Sequence, residues 1–212
     1  MNDLTEHLKL YLVADPDQTS RDLIADVRAA LAGGVTAVQL RVKRGTDRAI
    51  LDLARTFAAA CRDHDALFLV NDRVDIALAA AADGVHLGVD DLPLRHARTL
   101  LGPSAVIGFS PETDQQAAEA RCQGADYLGI GPVFATMSKG DAGTAIGVVT
   151  LQRRTGLAGI PVIGIGGISA TNATDVIHAG AVGVAVISAI LGAPDPSVAA
   201  RELSAAVRRG AK

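Results

Sequence analysis

Six short clusters stand out against an apolar chain. Gln39-Leu40-Arg41-Val42-Lys43 closes a β-like run, and period-two alternation puts Gln39, Arg41 and Lys43 on one face. Two cations beside an amide suit an anion with several oxygens. The competing reading is a solvated run at a strand exit. Asn71-Asp72-Arg73 and His86-Leu87-Gly88-Val89-Asp90-Asp91 end two further runs. Asp72 with Asp90 or Asp91 suits Mg²⁺, completed by water and phosphate oxygens. By position alone, Asp72 and Asp91 equally suit caps of the helices that follow, Asp91 standing just before Leu92-Pro93. His86 lies within its run and reads as a satisfied core histidine. Ser110 ends Gly108-Phe109-Ser110 and is placed either to donate to a substrate or to cap a helix. Finally, Gly164-Ile165-Gly166-Gly167-Ile168-Ser169 and Ile187-Ser188 before Ala189-Ile190-Leu191 pair a glycine-rich turn with a short helix start. The N–H groups of such a pair suit phosphate.

These clusters need elements to hold them. Short β-rich runs alternate with Ala-rich segments of helical period. The runs are Leu8 to Ala14, Val35 to Leu40, Leu67 to Val70, Gly84 to Leu87, Val106 to Phe109, Tyr127 to Ile130, Val162 to Ile165 and Val182 to Ile187. Thr19 or Ser20 is expected to cap a helix running to Leu31, and Thr46 or Asp47 one running to about Asp63. Pro93 suits the first turn of a third, Thr113 starts a fourth, and Ser169 or Thr171 starts one ending at Gly180. Eight β-α units in one unbroken chain predict a single (β/α)8 TIM barrel spanning residues 1–212. An open doubly wound sheet would want a glycine fingerprint after the first strand, and none follows it. Every polar cluster then falls at the carboxyl end of a strand, where such barrels keep their chemistry.

Composition agrees with a large core. Of 212 residues, 49 % are hydrophobic and only 3 % aromatic, with no Trp, so Ala, Val, Leu and Ile must fill the interior. The net charge of -3 and the lack of a basic tract argue against nucleic acid as a partner. Cys61 and Cys122 fall in helical stretches without metal-ligand spacing, which fits a reducing compartment. Residues 1–9 carry no apolar signal segment, and no run has membrane-spanning character. The expectation is a soluble cytoplasmic protein acting on small molecules, for which a homo-oligomer is compatible.

The clusters form an ordered series that resembles the thiamine phosphate synthase family. It runs from Gln39-Leu40-Arg41-x-Lys43 through Asn71-Asp72-Arg73-x-Asp75 and Asp83-Gly84-Val85-His86-Leu87-Gly88 with Asp91. It continues with Gly108-x-Ser110, Gly131-Pro132-Val133-Phe134-x-Thr136 with Lys139, Ile165-Gly166-Gly167-Ile168, and Gly183-Val184-Ala185-Val186 with Ser188. The resemblance implies a transferase that joins an aminopyrimidine methyl diphosphate to a thiazole phosphate or its carboxylate. It implies Gln39, Arg41, Lys43, Asn71 and Lys139 on the diphosphate substrate, and Mg²⁺ on Asp72 and Asp91. It implies Ser110 near the reacting carbon, Thr136 and Ser138 beside the thiazole, and Gly167, Ile187 and Ser188 around its phosphate. Arg41, Lys43, Ser110 and Lys139 would be the catalytic set. Two departures stand out: Val89 replaces a frequent Gln, and Thr136-Met137-Ser138-Lys139 replaces Thr-x-Thr-Lys. The stretch after Lys139 is expected to act as a lid. Two other readings are a thiazole tautomerase-like isomerase on the same barrel and a non-catalytic barrel that binds thiamine precursors and regulates a partner. Retention of Asp72, Asp91, Gln39, Arg41 and Lys43 together favours the synthase over both.

Overall fold

Each β-rich run becomes a strand, because its mainly β-branched, Leu and small side chains suit a ribbon covered on both faces. The computed structural model describes residues 4–136 and 143–211. A short helix α1 (Leu4–His7) leads into β1 (Leu10–Ala14), a 3-10 turn (Pro16–Gln18) and α2 (Leu23–Ala32). There follow β2 (Ala37–Leu40), α3 (Asp47–Arg62), β3 (Leu67–Asn71), α4 (Val74–Ala80), β4 (Gly84–Leu87) and α5 (Leu94–Leu101). Next come β5 (Val106–Phe109), α6 (Asp114–Gln123), β6 (Tyr127–Ile130), α7 (Gly147–Ala158) and β7 (Val162–Ile165). The chain closes with α8 (Ala173–His178), β8 (Gly183–Val186), α9 (Ser188–Leu191) and α10 (Pro196–Gly210).

The strands pair in sequence order, all parallel, and β8 returns to β1 with Leu10 opposite Val184 to close the ring. All eight expected strands are present. Their ends differ by one or two residues: β1 begins at Leu10, β2 at Ala37, and β8 ends at Val186 rather than Ile187.

Helix starts depart from expectation where several capping residues stand close together. Asp22, not Thr19 or Ser20, caps α2, accepting from the N–H groups of Ile24 and Ala25. Thr19 instead donates to the buried Asp26. Pro93 precedes α5 rather than sitting in its first turn. Neither Ser169 nor Thr171 starts α8; Asn172 does, its Oδ1 accepting from Ser169 N–H. Thr46 caps α3, and Thr113 caps α6 with a reciprocal bond from Gln116, as their spacing predicts. The α10 helix, capped by Asp195 with Pro196 in its first turn, packs on α2 and α8.

At the amino end of the barrel, acidic side chains bridge neighbouring strands. Asp83, just before β4, accepts from Phe68 N–H of β3 at 2.7 Å. Asp126, just before β6, accepts from Ile107 N–H of β5 at 2.7 Å and also pairs with Arg98. Asp126→Ala should leave that strand N–H without its acceptor and cost about 1–3 kcal/mol. A urea midpoint lowered with unchanged slope is the expected readout. An unaltered midpoint would show that the bridge contributes nothing.

Candidate active site

The carboxyl ends of the strands open into a cavity of about 1200 Å³. Parallel closure brings residues at or just beyond the ends of β2, β3, β4, β5, β7 and β8 into this one shared cavity. Arg41, Lys43, Asn71, Asp72, Asp91, Ser110, Thr136, Gly167, Ile187 and Ser188 all line it. Ser138 and Lys139, and the stretch 137–142 that contains them, lie outside the described residues.

One side of the cavity is cationic. Arg41 follows β2 and is paired with Asp15, which is buried at the end of β1. Lys43 Nζ lies 2.7 Å from Asp72 Oδ2 in a pair more open to solvent. Gln39 departs from expectation. It is buried at 3 % exposure and is not among the cavity-lining residues. Its Nε2 donates to Tyr11 Oη at 2.8 Å inside the barrel. Alternation put it on the Arg41 face, but two residues earlier on the strand means one layer deeper in the barrel.

Beside the cations sits a pair of carboxylates. Asp72 follows β3 with φ 62°, a left-handed conformation that Asp tolerates better than most residues. Asp91 Oδ2 accepts from Gly88 N–H at 2.7 Å. Burial, and then the adjoining Asp72 carboxylate, push the Asp91 carboxyl above its ordinary range, while Gly88 N–H and Lys43 pull it down. Neither acid caps a helix: Arg73 stands before α4 and Pro93 before α5, both without a side-chain cap. The capping alternative therefore gives way to two carboxylates drawn together at the cavity wall.

That donor set fits a hard divalent cation, which favours oxygen ligands and relieves like-charge repulsion. No group of three or more His, Cys, Asp or Glu suited to a metal is gathered among the described residues. The remaining ligands for an ion on Asp72 and Asp91 would be water and substrate oxygens, the usual arrangement for Mg²⁺.

Across the cavity, Gly166 and Gly167 follow β7 with φ 94° and 66°. A Cβ on Gly167 would lie 2.6 Å from the Ala135 carbonyl oxygen, so a side chain there is excluded twice over. Ile187 and Ser188 at the start of α9 complete this wall. First-turn N–H groups of a helix lack intrahelical acceptors, so the wall suits an oxyanion.

His86 and Ser110 join the rim to the interior. His86 Nε2 lies 2.8 Å from Ser110 Oγ and Nδ1 lies 2.9 Å from Tyr127 Oη. The satisfied histidine expected from its place in the strand is thus also a cavity residue. Ser110 caps no helix, since Thr113 does so for α6. Val89 lines the cavity with an apolar side chain. Asp15 and Arg154 also support the site, and neither belongs to the polar clusters of the sequence. Asp15 directly follows an apolar run, which is a readable signal. Arg154 of α7 is 8 % exposed and donates to Asp114 and to the Pro111 and Glu112 carbonyls, holding the loop after Ser110 from forty residues away. Its own sequence neighbourhood carries no sign of that contact.

A family model described as thiamine monophosphate synthase matches residues 10–190. A thiamine-phosphate synthase of Moorella thermoacetica is 52 % identical over 86 % of this chain and 87 % of its own. One from Roseiflexus castenholzii is 46 % identical over 92 % of this chain and 86 % of its own. The solved structure of a thiamine phosphate pyrophosphorylase from Pyrococcus furiosus superposes with a TM-score of 0.91 at 41 % identity, covering 99 % of this chain and 100 % of that one. The chain belongs to the thiamine monophosphate synthase family.

Proposed function

We propose that this chain joins an aminopyrimidine methyl diphosphate to a thiazole phosphate, releasing diphosphate and forming thiamine phosphate. The observation that carries this reading is one cavity with two unlike anion sites. Arg41, Lys43 and the Asp72–Asp91 pair lie on one side, and the Gly167 and Ser188 wall on the other. In the reaction, the methylene carbon–oxygen bond breaks and its electron pair leaves with diphosphate. The thiazole nitrogen lone pair then forms the new carbon–nitrogen bond. No protein nucleophile enters the balance.

Each residue has a task that follows from its surroundings. Arg41 and Lys43 receive the diphosphate charge, with Asn71 as a neutral partner beside them. Arg41 is held by buried Asp15, so its guanidinium is oriented before substrate arrives. Lys43 gives up part of its bond to Asp72 as a more highly charged anion binds. Asp72 and Asp91 would hold Mg²⁺, which when bound neutralises charge on the leaving diphosphate. By the resemblance alone, Lys139 would add a further cation to the diphosphate and Ser138 would contact the thiazole. Ser110 borders the reacting carbon and Thr136 the thiazole, whose phosphate meets Gly167, Ile187 and Ser188. Holding both partners in one cavity supplies the alignment that a two-substrate step needs. The substrates are small molecules, and no helix among the described residues is long and apolar enough to cross a membrane.

Purified protein given both precursors and Mg²⁺ should release diphosphate and thiamine phosphate in equal amounts. Absence of thiamine phosphate from folded protein would reject the reading. Asp72→Ala should cut Mg²⁺-dependent turnover by about a hundredfold or more, the scale seen when transition-state charge loses its stabiliser. Thiazole phosphate binding to the opposite wall, measured by calorimetry, should hold. Unchanged turnover would remove Asp72 from the metal site.

A further inference from the structure

The chain has only two tyrosines, and both are fully buried inside the barrel. Tyr11 comes from β1 and Tyr127 from β6, which are not neighbours in the sheet, so their contact crosses the barrel interior. Their hydroxyls lie 2.9 Å apart, with ring centroids 6.1 Å apart. Phenylalanine would fill the same space without two polar atoms to satisfy. The hydroxyls therefore belong to a longer line: Gln39 Nε2 to Tyr11 Oη, to Tyr127 Oη, to His86 Nδ1, and from His86 Nε2 to Ser110 Oγ. Its four bonds measure 2.8, 2.9, 2.9 and 2.8 Å. The space for it is cleared by Gly108 of β5, where a Cβ would lie 2.2 Å from Tyr127 and 2.4 Å from His86 Nδ1.

Counting hydrogens gives the line a direction. Gln39 donates to Tyr11, and burial keeps both phenols protonated by pushing their titration well above the ordinary range. Tyr11 has one hydrogen, which goes to Tyr127, since a buried hydroxyl without an acceptor is costly. Tyr127 then donates to His86 Nδ1. A neutral imidazole so bonded carries its hydrogen on Nε2 and donates it to Ser110 Oγ. The hydroxyl hydrogen of Ser110 is left pointing to the cavity. With the Gln39 amide turned over, every bond would reverse. Ser110 would then donate inward to His86 and offer only lone pairs to an anionic substrate.

We propose that Gln39, Tyr11, Tyr127 and His86 form a directional hydrogen-bond chain that makes Ser110 a donor to an anionic oxygen of the departing diphosphate. This deepens the synthase reading and rests on it for the identity of the acceptor. The four inner residues are positioning residues; only Ser110 touches substrate. Because negative charge on the leaving group grows as the carbon–oxygen bond breaks, the Ser110 bond strengthens in the transition state and acts on kcat more than on KM.

The first test is independent of turnover. In full-length protein labelled with ¹⁵N-histidine, the His86 resonances, assigned by their loss in His86→Gln, should show a pyrrole-like Nε2 and a pyridine-like Nδ1 at neutral pH. A hydrogen on Nδ1, with or without one on Nε2, overturns the proposal whether or not the protein makes thiamine phosphate. The second test is a double-mutant cycle. Tyr127→Phe should lower kcat by about tenfold, the rate equivalent of one hydrogen bond to a charged group, with KM for both substrates little changed. The same substitution in a Ser110→Ala background should have no further effect on kcat. An equal kcat loss in both backgrounds, or a Tyr127→Phe effect on stability alone, would mark the line as structural and overturn the proposal.

Discussion

Closure of the ring is the constraint on which the rest depends. The β1–β8 ladder turns a parallel sheet into a barrel, and parallel strands then deliver every carboxyl end to one rim. Strands of four or five residues make the barrel short, so rim and interior lie within one side chain of each other. A histidine in the middle of β4 can therefore touch a rim serine with one nitrogen and a core phenol with the other. The same closure separates the two polar walls of the cavity. Loops after β2, β3 and β4 carry cations and carboxylates, while those after β7 and β8 carry glycine and backbone donors.

The two ion pairs at the rim differ in how they respond to a substrate. Arg41–Asp15 is nearly dry, with side chains 13 % and 3 % exposed, and removing either partner would strand a buried charge. It behaves as fixed scaffold. Lys43–Asp72, at 47 % and 26 %, is bathed in solvent, which holds the net worth of such a pair low. Exchanging one carboxylate for a diphosphate or a metal ion costs little there. In the proposed reaction the rigid cation would orient the anion while the loosely held one follows its charge.

Much of this architecture was legible because strand positions in a covered barrel are apolar almost without exception, and helix stops at Gly33 and Gly124 adjoin them. The rim residues were legible because polar side chains directly after such runs have no place in the core. What failed was depth. Alternation told which face Gln39 shares with Arg41, and said nothing of whether that face at that height opens to the cavity or to the interior. Caps failed where candidates crowd: Thr19, Ser20 and Asp22 all suit the role, and the choice was made by Asp26, whose buried carboxylate engages Thr19 and Arg21. Tyr11 and Tyr127 gave no signal, since an aromatic residue in a strand reads as core, and core they are.

A polar line inside an aliphatic core also restricts how its members can change. Among the described residues each tyrosine hydroxyl bonds to its two neighbours in the line, so replacing one member by an apolar residue leaves a buried polar group with a bond unmet. Tyr11→Phe would leave Gln39 Nε2 without this acceptor and Tyr127 without its incoming donor, although the ring would pack as well as that of Tyr. Gly108 is bound by the same logic, because its missing side chain is the gap through which Tyr127 reaches His86. The ordinary freedom of a barrel core to trade one hydrophobe for another is thus suspended along a path from β1 to the rim. That path ends on Ser110, whose hydroxyl opens on the cavity and, among the described residues, is held from one side, by His86.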